Sequence, residues 1–242
     1  MKRVSMYDRQ DFLKKYREKV KAHHLVPFPQ IIKTLGNLKN KSVLDIGCGS
    51  GELTTLIAKK AKHTVGIDRS KEWIALCKNT YQTNHNLRFI LADGAKLPFE
   101  NSSFDMIVMN MVLLNVETKN HVQRIFNEAA RVLKPGGTLI FSDLHPICMM
   151  TQKLFNRRQS YSKGFSYFKD GGAYTAHVAL LDGTTIAFKN MHWTLETLTS
   201  FICASGFSIS QIIEPTYPAN APKEFRRYNV PEYLLLSCKK LS

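Results

Sequence analysis

The 242-residue chain reads as an α/β fold built on a doubly wound, largely parallel sheet. Three observations predict it. Short apolar strands alternate with helical stretches from residue 42 to residue 142. A glycine-rich turn, Gly47-Cys48-Gly49-Ser50-Gly51, joins the first of these strands to its helix. Acidic residues, Asp68 and Asp93, close the next two strands, in one row along the carboxyl edge of the sheet.

The elements follow in order. Residues 8–25 read as a charged helix with Phe12, Tyr16 and Val20 spaced by four. Pro27 and Pro29 end it, and residues 30–38 form a second short helix closed by Gly36-Asn37. Residues 1–40 are thus an N-terminal helical cap, and 41–242 one domain. Strands are expected at 42–46, 63–67, 87–91, 104–109 and 138–142. Helices are expected at 52–62, 70–83 with Ser70 as N-cap, and 118–133, the last stopped by Pro135-Gly136-Gly137. The alternation then pauses. Residues 144–173 are irregular and rich in aromatics, among them Phe155, Tyr161, Phe165, Tyr167 and Phe168. Strands at 174–181 and 184–189 flank Asp182-Gly183, a two-residue hairpin signal. Residues 144–193 are too few for a core of their own and read as an inserted lid. A helix at 194–204, a strand at 207–213 and a final antiparallel strand at 231–238 complete the sheet.

Composition narrows the class. Hydrophobic residues make up 44% and charged residues 22%, enough apolar surface to exclude a disordered chain. The five cysteines are scattered without a CxxC pair, which argues against a disulfide scaffold or a zinc cage. No metal-ligand spacing stands out. The start MKRVSMYDRQ lacks the apolar stretch of a signal peptide, and the longest apolar run, 106–114, is far short of a membrane span. A reducing cytoplasmic setting without stable membrane insertion is the expectation. Lys and Arg number 34 against 19 Asp and Glu, a net charge of +15, with the surplus concentrated in residues 1–41. Such a field suits nucleic acid, acidic lipid or an anionic substrate, or it is a solvated basic face. No recognisable RNA-binding module accompanies it.

The chemistry lies at the strand tips. Glycines at 47 and 49 let the backbone turn sharply and approach a ligand, and Gly51 lets helix and strand pack closely. The helix start offers free N–H groups to a phosphate or to a carboxylate. Asp68, with Arg69 beside it, is placed to accept from both hydroxyls of a ribose. Asp93, with Gly94 and Ala95, is placed to accept from the amine of an adenine while a backbone N–H donates to the ring.

Residues 40–145 resemble the class I S-adenosylmethionine-dependent methyltransferases. VLDIGCGSGELT is similar to the family's first motif, with Asp45 as the acid before the glycines. Its G-x-G-x-G spacing departs from the G-x-G-x-x-G of nicotinamide dehydrogenases. GIDRS resembles the second motif, LADGAKLPFENSSFDMIVMN the next, and RVLKPGGTLIFSD the helix–turn–strand that follows. The resemblance implies a Rossmann-like sheet of seven strands in the order 3-2-1-4-5-7-6, the last antiparallel. It implies S-adenosyl-L-methionine as cofactor, with S-adenosyl-L-homocysteine as product. Cofactor contacts then fall to Asp45, Gly47, Gly49, Asp68, Arg69, Asp93, Gly94, Ala95 and Asn110, the last against the methionine moiety. Tyr7 resembles an N-terminal tyrosine that covers the cofactor in some members, or it is a packing tyrosine. Cys48 reads as a small packing residue in the turn.

Two histidines are candidate catalytic residues. His145 follows the fifth strand at the mouth of the expected pocket, as base or substrate contact, or as a local hydrogen-bonding group before Pro146. His192 precedes a helix start, as a second base candidate or as a ring satisfied by backbone. Trp193, Tyr167 and Phe168 wall the substrate pocket or serve as core. The activity expected is methyl transfer to O, N or C of a small molecule. The alternative is an RNA methyltransferase using the basic surface. Against it, residues 109–112 lack the Pro-Pro-aromatic signature of base-amine enzymes, and no Pro-Cys or Thr-Cys pair offers a cytosine nucleophile. A non-catalytic binding protein is the third reading, opposed by the intact motifs. Oligomeric state is not legible.

Overall fold

The computed structural model describes residues 25–147, 153–154, 157–161, 164–179, 185–221 and 230–241. Tyr7, the 8–25 helix, Phe155 and the Asp182-Gly183 turn lie outside these residues. The first described helix, α1, is Pro27–Leu35 rather than 30–38. Both prolines sit in its first turn, where a missing N–H breaks no helical bond and the fixed φ suits a helix start. They open this helix.

The sheet carries β1 (Ser42–Ile46), β2 (His63–Asp68), β3 (Leu87–Leu91), β4 (Phe104–Asn110), β5 (Leu133–Leu144), β10 (Phe207–Ile213) and β11 (Tyr233–Lys240). Their spatial order is β3-β2-β1-β4-β5-β11-β10. β11 is antiparallel to both β5 and β10, while β1 to β5 pair in parallel. This is the expected seven-stranded order, the last strand of the chain slotting in as sixth. β5 is longer than expected. Leu133 already pairs with Phe104, and the ladder resumes at Thr138 with Met106, so 134–137 bulges out of register. Gly136, at φ 67°, permits that bulge.

Helices α2 (Glu52–Ala58), α3 (Lys71–Thr80), α4 (Lys119–Val132) and α5 (Leu195–Ala204) complete the layers. Polar hydroxyls start three of them, as Ser70, Thr118 and Thr194 each accept an N–H from the first turn. The two-residue period of β1 divides its side chains. Leu44 and Ile46 join α4 and α5 in one core, with Ile107, Met109 and Phe141. Val43 joins α1 and α2 in the other, with Val108 and Ile140. In α4 the buried residues Val122, Ile125, Phe126, Ala129 and Val132 follow helical spacing, and each large one contributes about 1.5–3 kcal/mol by burial.

The insertion is more regular than 144–173 suggested. A second, four-stranded antiparallel sheet runs β6 (Lys153–Leu154), β7 (Arg157–Tyr161), β8 (Gly172–Ala179) and β9 (Thr185–His192). β7 gains its regularity from pairing with β8, a partner more distant in sequence, and β6 pairs in turn with β7. Tyr174, Phe188 and Ala176 of this sheet pack with Leu144 and Tyr233 at the end of the main sheet. Asp170 ties the preceding loop down. Its carboxylate accepts from the Thr194 amide at 2.9 Å and the Thr197 hydroxyl at 2.6 Å, and pairs with Lys119 at 2.8 Å. Among the described residues no helix is long and apolar enough to cross a membrane.

Candidate functional site

The tips of β1, β2, β3 and β4 converge on one cavity of about 300 Å³. Asp45, Gly47, Gly49, Asp68, Arg69, Asp93, Gly94 and Asn110 all line it. Ala95 does not; its amide donates to Asp93 Oδ1 at 2.9 Å. His145 and His192 lie outside this cavity.

Local chemistry builds the glycine turn. The amides of Gly47 and Cys48 both donate to the Ile67 carbonyl at 2.8 Å, folding the end of β1 against β2. Gly47, Gly49 and Gly51 have φ of 75°, 49° and 76°. A Cβ on Gly51 would meet Cys77 Sγ and Phe89 Cζ at 2.9 Å, so this glycine is needed for packing. A Cβ on Gly49 would meet no protein atom within 4 Å. That position borders the cavity, where a ligand would need the space. Asp68 reaches back to lock the turn: Oδ2 accepts from the Gly49 amide at 3.0 Å and Oδ1 from the Ser70 amide at 2.8 Å. Each oxygen keeps a second lone pair for an outside donor.

Three carboxyls thus share the site in different environments. Burial pushes Asp45 up to about 7, opposed by the Thr54 hydroxyl at 2.6 Å and reinforced by the Asp68 charge. Burial also raises Asp68, against the Ser70 and Gly49 amides and Arg69. At Asp93 burial is outweighed by the Ala95 amide and His121, so its carboxyl lies below the ordinary value. Cys48 has its thiol raised by hydrogen bonding with Cys77 and by burial, which makes it inert and consistent with a packing residue.

The far wall comes from the segment after β4. Asn110 presents a buried Oδ1 that has no partner among the described residues. Met111 holds φ 59°, a left-handed backbone that costs a non-glycine residue about 1–2 kcal/mol. Its amide donates to the Ser142 carbonyl at 2.8 Å, which helps to hold that conformation. Met111, Val112, Asn115 and Val116 all face the cavity, and Leu113–Asn115 forms a 3-10 turn. Asp143 pins this turn: its buried carboxyl, raised to about 7 by burial, accepts from the amides of Leu144, Leu113 and Leu114. Trp193 pins it from the other side, Nε1 donating to the Leu113 carbonyl at 3.1 Å. Trp193 therefore braces the wall rather than forming it.

The histidines differ. His145 has both ring nitrogens engaged, Nδ1 accepting from the Ile147 amide at 3.1 Å and Nε2 pairing with Glu214 at 3.1 Å. His192 donates Nε2–H to the Tyr167 carbonyl at 2.7 Å, which leaves Nδ1 as a buried acceptor without a partner among the described residues. Burial lowers the pKa of both rings, opposed by Glu214 at His145 and by the Tyr167 carbonyl and Asp170 at His192. His192 borders a separate space of about 20 Å³, together with Leu114, Asp143 and Trp193, on the far side of the 3-10 turn. That is room for one water molecule.

Sequence reasoning missed Phe28, Trp73, Asn115 and His121, which also line the main cavity. His121 Nε2 lies 3.1 Å from Asp93 Oδ1, and Arg69 Nη2 donates to the Asn115 carbonyl at 3.3 Å. Neither pairing has a local signal, because the partners are 28 and 46 residues apart. Thr118 as N-cap could have placed His121 in the first turn of α4, but not over Asp93.

Comparison with known proteins bears on the same segment. Residues 44–141 match the family model described as a methyltransferase domain. A demethylmenaquinone methyltransferase of Tropheryma whipplei is 37% identical over 115 residues, 47% of this chain and 46% of that protein. A phthiotriol/phenolphthiotriol dimycocerosates methyltransferase of Mycobacterium leprae is 34% identical over 116 residues, 46% of this chain and 40% of that protein. The chain thus spans under half the length of these relatives. An S-adenosylmethionine-dependent methyltransferase from Mesorhizobium loti shares the fold at a TM-score of 0.68 and 24% identity, over 88% of this chain and 96% of that one. The strand order and the glycine turn agree with these matches: residues 44–141 match a methyltransferase domain, within a fold shared with an S-adenosylmethionine-dependent methyltransferase.

Proposed function

We propose that the protein transfers the methyl group of S-adenosylmethionine to O, N or C of a small-molecule acceptor by in-line displacement. One observation carries this reading: the tips of four adjacent strands present their polar groups to a single cavity of about 300 Å³. The groups fit the cofactor part by part. Asp68 has lone pairs for two ribose hydroxyls, and Asp93 Oδ2 takes no hydrogen bond among the described residues. The open space at Gly49 would admit the methionine chain, and the unpartnered Asn110 Oδ1 and the Asp45 carboxyl would receive its ammonium group.

When bound, the cofactor supplies an electrophilic methyl on a positively charged sulfur. The chain supplies position: Asp68 and Asp93 would hold the adenosyl part and the glycine turn the methionine part, and holding nucleophile and methyl in line is worth up to about 7–11 kcal/mol. The second sheet packs against Leu144 and Tyr233 beside the site, and in this reading it serves as the cover that limits water. Neither histidine lines the cavity; for an acceptor that must lose a proton we assign the role to His192 over His145, acting through a water in the space it borders, because of the two only His192 keeps an open ring nitrogen. A reducing cytoplasmic setting belongs to this reading. The relatives named for menaquinone and phthiotriol chemistry support a small-molecule acceptor.

Incubation with methyl-labelled cofactor and a metabolite extract, followed by mass spectrometry, tests the reading. A labelled small product is expected. Label found only in RNA would instead support the basic surface as a nucleic-acid site, given the net charge of +15. Failure of calorimetry to detect S-adenosylhomocysteine binding would support the non-catalytic reading.

A further inference from the structure

We infer that His121 is a positioning residue for adenine recognition, holding the Asp93 carboxylate in the orientation that reads an exocyclic amine. This rests on the proposed cofactor. The loop after β3 is gripped by one face of α4. Arg124 Nη2 donates to the Ala95 carbonyl at 3.3 Å, and Ile125 lies 3.6 Å from where a Gly94 Cβ would stand. Glu128 Oε2 accepts from the Leu97 amide at 2.7 Å, and Arg131 donates to the carbonyls of Leu97 and Phe99 at 3.0 and 2.7 Å. Residues 121, 124, 125, 128 and 131 follow one another at helical spacing. The later members hold the loop by its backbone or by packing. His121 alone in this row engages the Asp93 side chain, so the loop's course does not depend on it.

The geometry of that contact selects an oxygen. Asp93 Oδ1 accepts from the Ala95 amide at 2.9 Å and from His121 Nε2 at 3.1 Å. An ionised carboxylate cannot donate, so the ring nitrogen supplies the proton. Two bonds on Oδ1 fix the carboxylate plane and leave Oδ2 as the acceptor for a donor in the cavity, which Asp93 and His121 both line. An adenine amine offers that donor. A base with oxygen at the same carbon would set a carbonyl against the carboxylate. Without His121, Oδ1 keeps only the Ala95 amide, and the carboxylate can turn away from an unfavourable base. The positioning residue therefore raises discrimination between the two bases.

The test compares S-adenosylhomocysteine with S-inosylhomocysteine, which carries oxygen in place of the amine, by titration calorimetry on the full chain. The wild type should prefer the adenosyl ligand. The bond lies between side chains 35% and 48% exposed, so His121→Ala should weaken adenosyl binding by about three- to tenfold. Inosyl binding should change less than about twofold, so the preference falls by nearly the same factor. His121→Gln, whose amide can donate to the same oxygen, should restore most of it. His121→Phe keeps the bulk without the donor and should behave as the alanine variant, which covers the case that His121→Ala does not fold. An equal loss for both ligands, or an unchanged preference in both donor-less variants, would overturn this role while leaving the cofactor reading intact. A wild type that binds neither ligand would overturn the cofactor reading itself.

Discussion

The substitution Asp45→Asn separates the charge of this carboxyl from its shape. In the folded chain Asp45 ionises only at about 7, against an ordinary 3.8. Burial is the main cause, the Thr54 hydroxyl opposes it, and the Asp68 charge adds to it. The unfolded chain ionises Asp45 at the ordinary value, so between the two values the folded state holds an extra proton. Stability therefore falls as pH rises from 3.8 towards 7 and levels off above, by about 1.4 kcal/mol for each pH unit inside the window. From pH 5 to pH 8 this group alone removes about 2–3 kcal/mol. The carboxamide of the variant carries no such charge. It must still find an acceptor for its N–H groups, a cost of about 1–3 kcal/mol that does not vary with pH. In a domain of this size 1 kcal/mol moves Tm by about 2–4 °C, so variant minus wild type should become more positive by about 5–10 °C over that interval. Asp143 is also raised to about 7, by burial, but it is present in both proteins and drops out of the difference. Scanning calorimetry of the ligand-free protein at pH 5 and pH 8 measures it. A Tm difference equal at both pH values refutes the argument that Asp45 is held neutral by burial. If its anion also receives the cofactor's ammonium, wild-type affinity for S-adenosylhomocysteine rises with pH through about 7 and that of the variant stays flat.

Further substitutions separate structural from binding roles. Gly51→Ala forces a methyl against Cys77 and Phe89 at positive φ and should cost about 2–4 kcal/mol in urea unfolding. Gly49→Ala has open space and should cost only about 1 kcal/mol of stability, yet lower S-adenosylhomocysteine affinity about tenfold or more, because its methyl stands where the ligand belongs. Binding of that variant at wild-type strength would contradict the site. Asp170 is held down at about 2, because the Lys119, Thr194 and Thr197 bonds outweigh burial, which alone would raise it. Its stabilisation is complete above the unfolded value and vanishes as pH falls through about 2. Asp170→Asn should thus cost about 1–2 kcal/mol at pH 7, with the Tm gap narrowing as the protein is acidified towards pH 2. His192→Ala should lower kcat and remove the acidic limb of the rate profile with S-adenosylhomocysteine affinity unchanged. His145→Ala should leave kcat within about threefold, and the reverse pattern would return the base role to His145.

The strand tips were legible because their chemistry is local. VLDIGCGSG must turn where it does, since only glycine tolerates three left-handed positions in five residues. Asp68 and Asp93 close strands whose apolar runs are visible, and the alternation of those strands with helices already predicts a doubly wound sheet. The family resemblance then supplied the strand order. The lid was only half legible: the 174–189 hairpin carried its own pattern, whereas β7 is ordered by its pairing with the later strand β8, and β6 by its pairing with β7.

The sequence by itself determined which residue types stand at the carboxyl edge and in what order, because strand period and turn chemistry act over a few neighbouring residues. Only the tertiary structure decided what those residues are worth chemically. Desolvation raises Asp45, an imidazole 28 residues away fixes Asp93, and the distant Glu214 occupies a nitrogen of His145. Burial and long-range contact set the energy of a charge, and neither exists until the chain has closed around it.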